Sequence, residues 1–169
     1  LNTETIKHLG EKVKVCGWVN TRRDHGGIVF IDLRDRSGIL QTVCSPDLVE
    51  SVKEEYVLEI EGIVQKRPVK MVKKDLATGE VELKAENVKV LAKVSSLPFD
   101  FLSKELSLKL PTLLDYRPLT IRNPEIKNIF KVGEEIVNSF RKTLQCLDFT
   151  EFQSPNIVPA VAEGGAEIF

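Results

Sequence analysis

In "TRRDHGGIVFIDLR", residues 21–34, two arginines, an aspartate and a histidine run into a glycine pair and then into an apolar alternation. If Val29, Ile31 and Leu33 turn inward, the other side of that strand carries Phe30 with Asp32 and Arg34. An aromatic ring on a solvent side has two readings. It is an edge aromatic packed by a neighbouring loop, or it is a platform for an unpaired base, a contact worth ~1–3 kcal/mol in single-strand binders. The neighbours bear on the choice. Arg22 and Arg23 bring positive charge, and Gly26 and Gly27 let a backbone come close to a ligand. Gln41 and Glu82 supply hydrogen-bonding groups suited to the Watson–Crick edges of splayed-out bases, which is how single-stranded RNA is read for sequence. His25, between the arginines and the glycines, is either solvated or a hydrogen-bonding group for a base or phosphate.

The elements that must position these residues are short strands between turn signals. "VKVCGWV" sets Val13, Val15, Gly17 and Val19 against Lys14, Cys16 and Trp18; "IVFIDLR" follows, and "DRSG" turns into "ILQTVC", where both faces are mixed. "SPDLVESVKEE" predicts a short helix with Ser45 as N-cap and Pro46 at its first position. "YVLEIEGIVQ" and "EVELKAENVKVL" supply the fourth and fifth strands, the latter with Val81, Leu83 and Ala85 on one face. Five strands with a helix between the third and fourth is the plan of an OB-fold, a Greek-key barrel that binds oligonucleotides on its second and third strands. The fold class expected is therefore α+β overall, an all-β OB-fold barrel over residues 1–92 followed by a helical segment.

Composition limits the alternatives. Of 169 residues 42% are hydrophobic and 29% charged, which excludes a disordered tail, and no apolar run approaches the ~20 residues of a membrane span. The absence of a signal-peptide pattern makes a cytoplasmic location the expectation. Three scattered cysteines, Cys16, Cys44 and Cys146, read as buried reduced thiols rather than metal ligands or a disulfide. The net charge of −1 gives no global basic field, but "QKRPVKMVKKD", residues 65–75, concentrates five basic residues against one acid. Such a run is usually a solvated loop, and it gains meaning only from what lies beside it.

Residues 93–112, with two prolines and four serines, read as a linker. Beyond it, Asn123 and Pro124 open a helix whose apolar positions, Ile126, Phe130, Gly133, Val137, Phe140, Leu144 and Leu147, follow the helical period. An extended, proline-interrupted stretch ends in a glycine pair. The start at Leu1 and the stop at "GGAEIF" are what a fragment of a longer protein would show.

Taken together, "VCGWVNTRRDHGGIVFIDLRDRSGILQTV", "DLATGEVEL", "LLDYRPLTIRNPEI" and "DFTEFQSPNIVPAVAEGGAEIF" resemble the aspartyl-tRNA synthetases, members of the class II aminoacyl-tRNA synthetases, along nearly the whole chain. The resemblance implies an anticodon-binding OB-fold at 1–92, a linker at 93–112, and at 113–169 the start of an antiparallel α/β catalytic domain that makes aspartyl-adenylate from ATP and charges tRNA. It implies that Phe30 stacks on the central anticodon base, that Gln41 and Glu82 read anticodon bases, and that Arg23 is a nearby anticodon or phosphate contact. It makes residues 124–147 and Pro155 class II motif 1, which builds a homodimer interface, and Glu163 of "AEGGAE" the sensor of the amino acid's ammonium group. His25, where an aliphatic residue is the alternative, together with the loop around Met71, implies the relaxed kind of enzyme that aspartylates both the aspartate and the asparagine tRNA.

Two features depart from the pattern. Ala162 stands where archaeal-like members have threonine, and the ATP-binding arginine of motif 2, motif 3 and the Mg2+ ligands are expected beyond Phe169. The segment alone is therefore expected to be inactive, with no metal site of its own. Asparaginyl-tRNA synthetase and a non-catalytic tRNA-binding OB-fold are the alternatives.

Overall fold

The computed structural model describes residues 1–103 and 106–154. The chain divides into two compact units, Leu1–Leu97 and Pro98–Phe169, and the division falls inside the stretch read as linker.

The first unit is a closed barrel of five strands, β1 (Lys12–Asp24), β2 (Val29–Arg34), β3 (Ile39–Cys44), β4 (Val57–Lys66) and β5 (Val81–Ala92), ordered β1-β2-β3-β5-β4. All pairings are antiparallel except β3 with β5, which closes the barrel through Thr42↔Leu83 and Val43↔Lys84. β1 serves two neighbours. Lys12–Trp18 pairs with β4 and Trp18–Asp24 with β2, and an irregularity between Val19 and Thr21 lets one long strand bend around the corner. The inward residues are those the period-2 pattern selects: Val15, Val19, Val29, Ile31, Leu33, Leu58, Ile60 and Leu83 form one apolar core. Gly62 is required by this packing, because a Cβ there would lie 2.1 Å from the Lys84 carbonyl oxygen of the adjacent strand.

Arg22 and Arg23 belong to β1, which runs to Asp24, and they pair with Ile31 and Phe30. Beyond them Gly26 and Gly27 form a two-residue turn, in which the His25 N–H donates to the Ile28 carbonyl and both glycines take positive φ. That geometry matches strand twist and suits glycine. The helix expected over 45–55 shrinks to one 3-10 turn, Pro46–Leu48, whose Ser45 makes no side-chain cap bond; Val49 and Val52 drop into the core and Glu55 takes positive φ, so core burial overrides helical extension. Within the charge run, Arg67 is buried rather than solvated. Of the cysteines only Cys44 is buried, and that burial pushes its thiol pKa up, while Cys16 and Cys146 are exposed.

A 3-10 segment, Asn2–His8, that the apolar pattern does not announce lies against the β2–β3 turn. Asp35 organises the junction: its Oδ1 accepts from the Ser37 N–H and hydroxyl and from the Gly38 N–H, and its Oδ2 from the Asn2 N–H.

The second unit contains α1 (Leu110–Asp115), α2 (Arg117–Thr120) and α3 (Pro124–Cys146). Asn123 caps α3, accepting from the Glu125 N–H, while its amide nitrogen donates to the carbonyls of Phe101 and Ser103. One buried side chain thus ties the segment before α1 to the start of the long helix. The α3 stripe carries Phe130, Val137 and Phe140 exposed, and Phe130 lies under the Arg117 guanidinium, 5.1 Å from the ring centroid.

Candidate nucleic-acid interface

Arg23, His25, Phe30, Gln41, Met71 and Lys73 line one hollow of about 230 Å³ on the outside of the barrel. Five of the residues singled out in the sequence thereby meet in one place. Three strands, the β1–β2 turn and the β4–β5 loop bring them there.

Phe30 occupies β2 between inward-facing Val29 and Ile31, so strand alternation alone turns it outward, where it is half-buried. Its nearest ring is His25, at the end of the tight turn: the centroids are 5.5 Å apart and the planes stand at 82°. On the next strand Arg23 is the Cα partner of Phe30, and its Nη2 donates to Asp32 Oδ1 at 2.9 Å. Asp32 sits opposite Gln41 in the β2–β3 register, which sets an amide beside the Arg23–Asp32 pair.

Gln41 does not act alone. Its Nε2 donates to Glu82 Oε2 at 3.0 Å, and Gln65 Nε2 donates to Glu82 Oε1 at 2.9 Å. Glu82 is buried at 5% exposure, so these amides satisfy a carboxylate that would otherwise be costly to bury. The two groups expected to read bases, Gln41 and Glu82, are therefore hydrogen-bonded to each other across the β3–β5 closure.

Met71 and Lys73 come from the loop between β4 and β5, which is pinned rather than free. The buried Thr78 hydroxyl donates to the Ile39 carbonyl, the Lys73 N–H donates to the Gly79 carbonyl, and a Cβ at Gly79 would lie 1.7 Å from the Lys73 oxygen. Met71 is 53% exposed at the end of the 3-10 turn Val69–Met71. Arg67, just before that turn, donates from Nε to the Val81 carbonyl at 2.9 Å, while both its terminal nitrogens are buried without a partner among the described residues. Burial holds its guanidinium pKa below the usual arginine value, against the opposing pull of Glu82 and Asp32. Arg23, Arg67 and Lys73 against Asp32 and Glu82 leave this region with one net positive charge by formal count.

Sequence reasoning missed Arg67, Gln65 and Lys73. The charge run marked their neighbourhood, but Arg67 is buried where β4 breaks its alternation after the exposed Lys66, and no local pattern carries that. Pro155 and Glu163 lie outside the described residues.

The hollow offers an aromatic face, the amide of Gln41 and the cations of Arg23 and Lys73, with the buried Glu82 carboxylate hydrogen-bonded to Gln41, the groups with which unpaired nucleotides are stacked and read. Comparison with known proteins agrees. Residues 13–91 match the family model described as an OB-fold nucleic acid binding domain, and residues 109–169 that of class II tRNA synthetases (D, K and N). The chain is 37% identical to an aspartate–tRNA ligase of Listeria monocytogenes over 95% of its own length and 28% of the relative's. It is 38% identical to an aspartate–tRNA(Asp/Asn) ligase of Bifidobacterium longum, covering 98% of this chain and 29% of that one. The chain thus spans less than a third of the length of the curated relatives it matches. Among solved structures it is similar to the asparaginyl-tRNA synthetase of Pyrococcus horikoshii in complex with asparaginyl-adenylate, with a TM-score of 0.74 and 29% identity over 95% of this chain and 37% of that one.

Proposed function

Because this chain belongs to the class II aminoacyl-tRNA synthetases, as its OB-fold and synthetase matches together show, we propose that it is the anticodon-reading and dimer-forming part of an aspartate–tRNA ligase. The observation that carries the reading is the hollow at Phe30. It gathers the stacking ring, the amide of Gln41 and the cation of Arg23 on a barrel whose relatives are named aspartate–tRNA ligases. In this reading residues 1–92 grip the anticodon, 93–112 link, and 113–169 begin the catalytic domain.

Phe30 stacks on the central anticodon base. Gln41 and Glu82 read base edges, Glu82 as an acceptor and Gln41 with whichever amide group Glu82 leaves unused. Arg23, already oriented by Asp32, contacts a base or phosphate. Chemistry happens elsewhere in the protein: ATP activates L-aspartate as an adenylate, and the aspartyl group then passes to the tRNA. Glu163 senses the ammonium of the bound amino acid. The Mg2+ that accompanies ATP would be held by carboxylates outside this segment; among the described residues no three carboxylate, histidine or cysteine side chains come together.

The apolar face of α3, with Phe130, Val137 and Phe140 exposed, is the motif 1 surface of a homodimer, a motif to which Pro155 also belongs. Among the described residues no helix is long and apolar enough to cross a membrane, and we place the protein in the cytoplasm with its tRNA substrates. His25 and Met71, neighbours in the hollow, set tolerance at the anticodon position that differs between the aspartate and asparagine tRNAs. The similarity to a ligase named for both tRNAs supports the relaxed form.

The likeness to the Pyrococcus horikoshii enzyme favours asparaginyl-tRNA synthetase as the second reading. One experiment separates them. The protein containing this chain is supplied with ATP, Mg2+ and either amino acid, together with transcripts of each tRNA. Aspartylation of both transcripts is expected; charging with asparagine but not aspartate would overturn the proposal.

A further inference from the structure

The Glu82 carboxylate has an unusual setting. It is buried, yet the groups that satisfy it are two neutral amides, one on each oxygen, rather than a cation. A buried guanidinium is close enough for the two charges to influence one another: Glu82 is the foremost group opposing the burial effect on Arg67. The Arg67 terminal nitrogens nevertheless remain without a partner among the described residues. A carboxylate and a guanidinium in a poorly solvated place pair strongly when they are free to meet. Something holds these two apart.

The backbone accounts for Arg67, whose Nε is fixed to the Val81 carbonyl at 2.9 Å. The carboxylate is held by Gln41 on one side and Gln65 on the other. Gln41 lines the hollow and belongs to the reading surface already described. Gln65 does not line it. It is the Cα partner of Glu82 in the β4–β5 register and reaches across to Oε1 at 2.9 Å.

We propose that Gln65 is a positioning residue that restrains Glu82 from collapsing onto Arg67, so that a negative acceptor and a positive donor both stay available to one nucleotide. The ligand class follows. An unpaired base whose edge sets a hydrogen-bond donor beside an acceptor engages both groups, whereas a base lacking either leaves one buried charge unpaired. Discrimination by such a site is steep for that reason. Without the Gln65 amide, Glu82 and Arg67 satisfy each other and the site loses both readers at once. The inference rests on the anticodon reading for its ligand, but its structural half does not.

Two measurements test it. In the first, the protein carrying Gln65→Met, which keeps side-chain length and removes the donor, is titrated with the anticodon stem-loop and with single-base variants of it. The ratio of affinities between the best and the poorer stem-loops is expected to fall about tenfold, and Gln65→Met is expected to add no further loss in a Glu82→Gln background. A loss equal across all stem-loops, or one that persists undiminished in the Glu82→Gln background, assigns Gln65 a merely structural part and overturns the proposal. In the second, the ligand-free crystal structure of the Gln65→Met protein is expected to have the Glu82 carboxylate on the Arg67 terminal nitrogens; a carboxylate left in its present place overturns the proposal whatever the binding result. Should Glu82 move as expected while the parent protein distinguishes none of the stem-loops, the positioning role stands and the anticodon reading fails.

Discussion

The His25 and Phe30 rings stand edge to face, their centroids 5.5 Å apart and their planes at 82°. The histidine stands where β1 enters the glycine turn, and this contact sets it against the platform ring. A ring nitrogen beside the platform is well placed to offer either a donor or an acceptor to a base, as neutral imidazole can do. His25→Leu removes both options while keeping an apolar side chain against Phe30. In charging assays of the protein with both transcripts, the ratio of asparagine-tRNA to aspartate-tRNA aspartylation is expected to fall by roughly a factor of ten, the size of one lost hydrogen bond. A parent enzyme that already prefers the aspartate tRNA strongly would remove the relaxed reading.

Truncation of the platform has a different signature. Phe30→Ala removes the stacking face without touching the core, since Val29 and Ile31 on either side carry the burial. Stem-loop binding is expected to weaken by ~1–3 kcal/mol with the circular dichroism of the protein unchanged. Equal affinities of variant and parent would exclude Phe30 from the interface.

The barrel was legible from alternation because half-buried strands write their inward face into every second residue, as Val29, Ile31 and Leu33 do. Phe30 was legible for the same reason, as the ring left on the wrong side. The part that could not be read lies in contacts between strands distant in sequence. The Gln41–Glu82 bond spans 41 residues, and Arg67 is buried by tertiary packing in a stretch whose local chemistry reads as solvated loop. The same override shortened the helix after Ser45, where Val49 and Val52 are worth more in the core than in an extended surface helix.

Acid sensitivity follows from Asp35. Burial raises its pKa, but the hydrogen bonds from Ser37, Asn2 and Gly38 together outweigh this and leave it below the usual aspartate value. A carboxyl whose folded pKa lies below its unfolded one stabilises the fold above the ordinary aspartate range, and that contribution is lost as pH falls through the lowered value. Asp35→Asn is expected to melt lower than the parent at neutral pH and to converge with it in acid. A melting difference that stays constant from pH 7 to pH 2 would show that the charge of Asp35 plays no part.

Gly62→Ala tests the strand pairing beneath the reading groups. The added methyl would stand 2.1 Å from the Lys84 oxygen and 3.0 Å from the Ala85 Cα, both backbone atoms that cannot step aside without moving β5. A destabilisation of at least ~1–3 kcal/mol is expected by denaturant unfolding. A variant as stable as the parent would mean that β4 and β5 can separate without loss.

Two residue pairs, Thr42↔Leu83 and Val43↔Lys84, join β3 to β5, and the order of folding turns on them. Phe30, Arg23 and His25 belong to a hairpin of neighbouring strands, which needs only local encounters. Gln41 meets Glu82 only when segments some forty residues apart close the ring, the slow, non-local kind of contact. A nascent chain that has not yet delivered β5 therefore lacks the contact between Gln41 and Glu82. On the proposed reading, selectivity between anticodons would then depend on closure of the ring, and a loss of selectivity would report a barrel in which β3 and β5 have come apart.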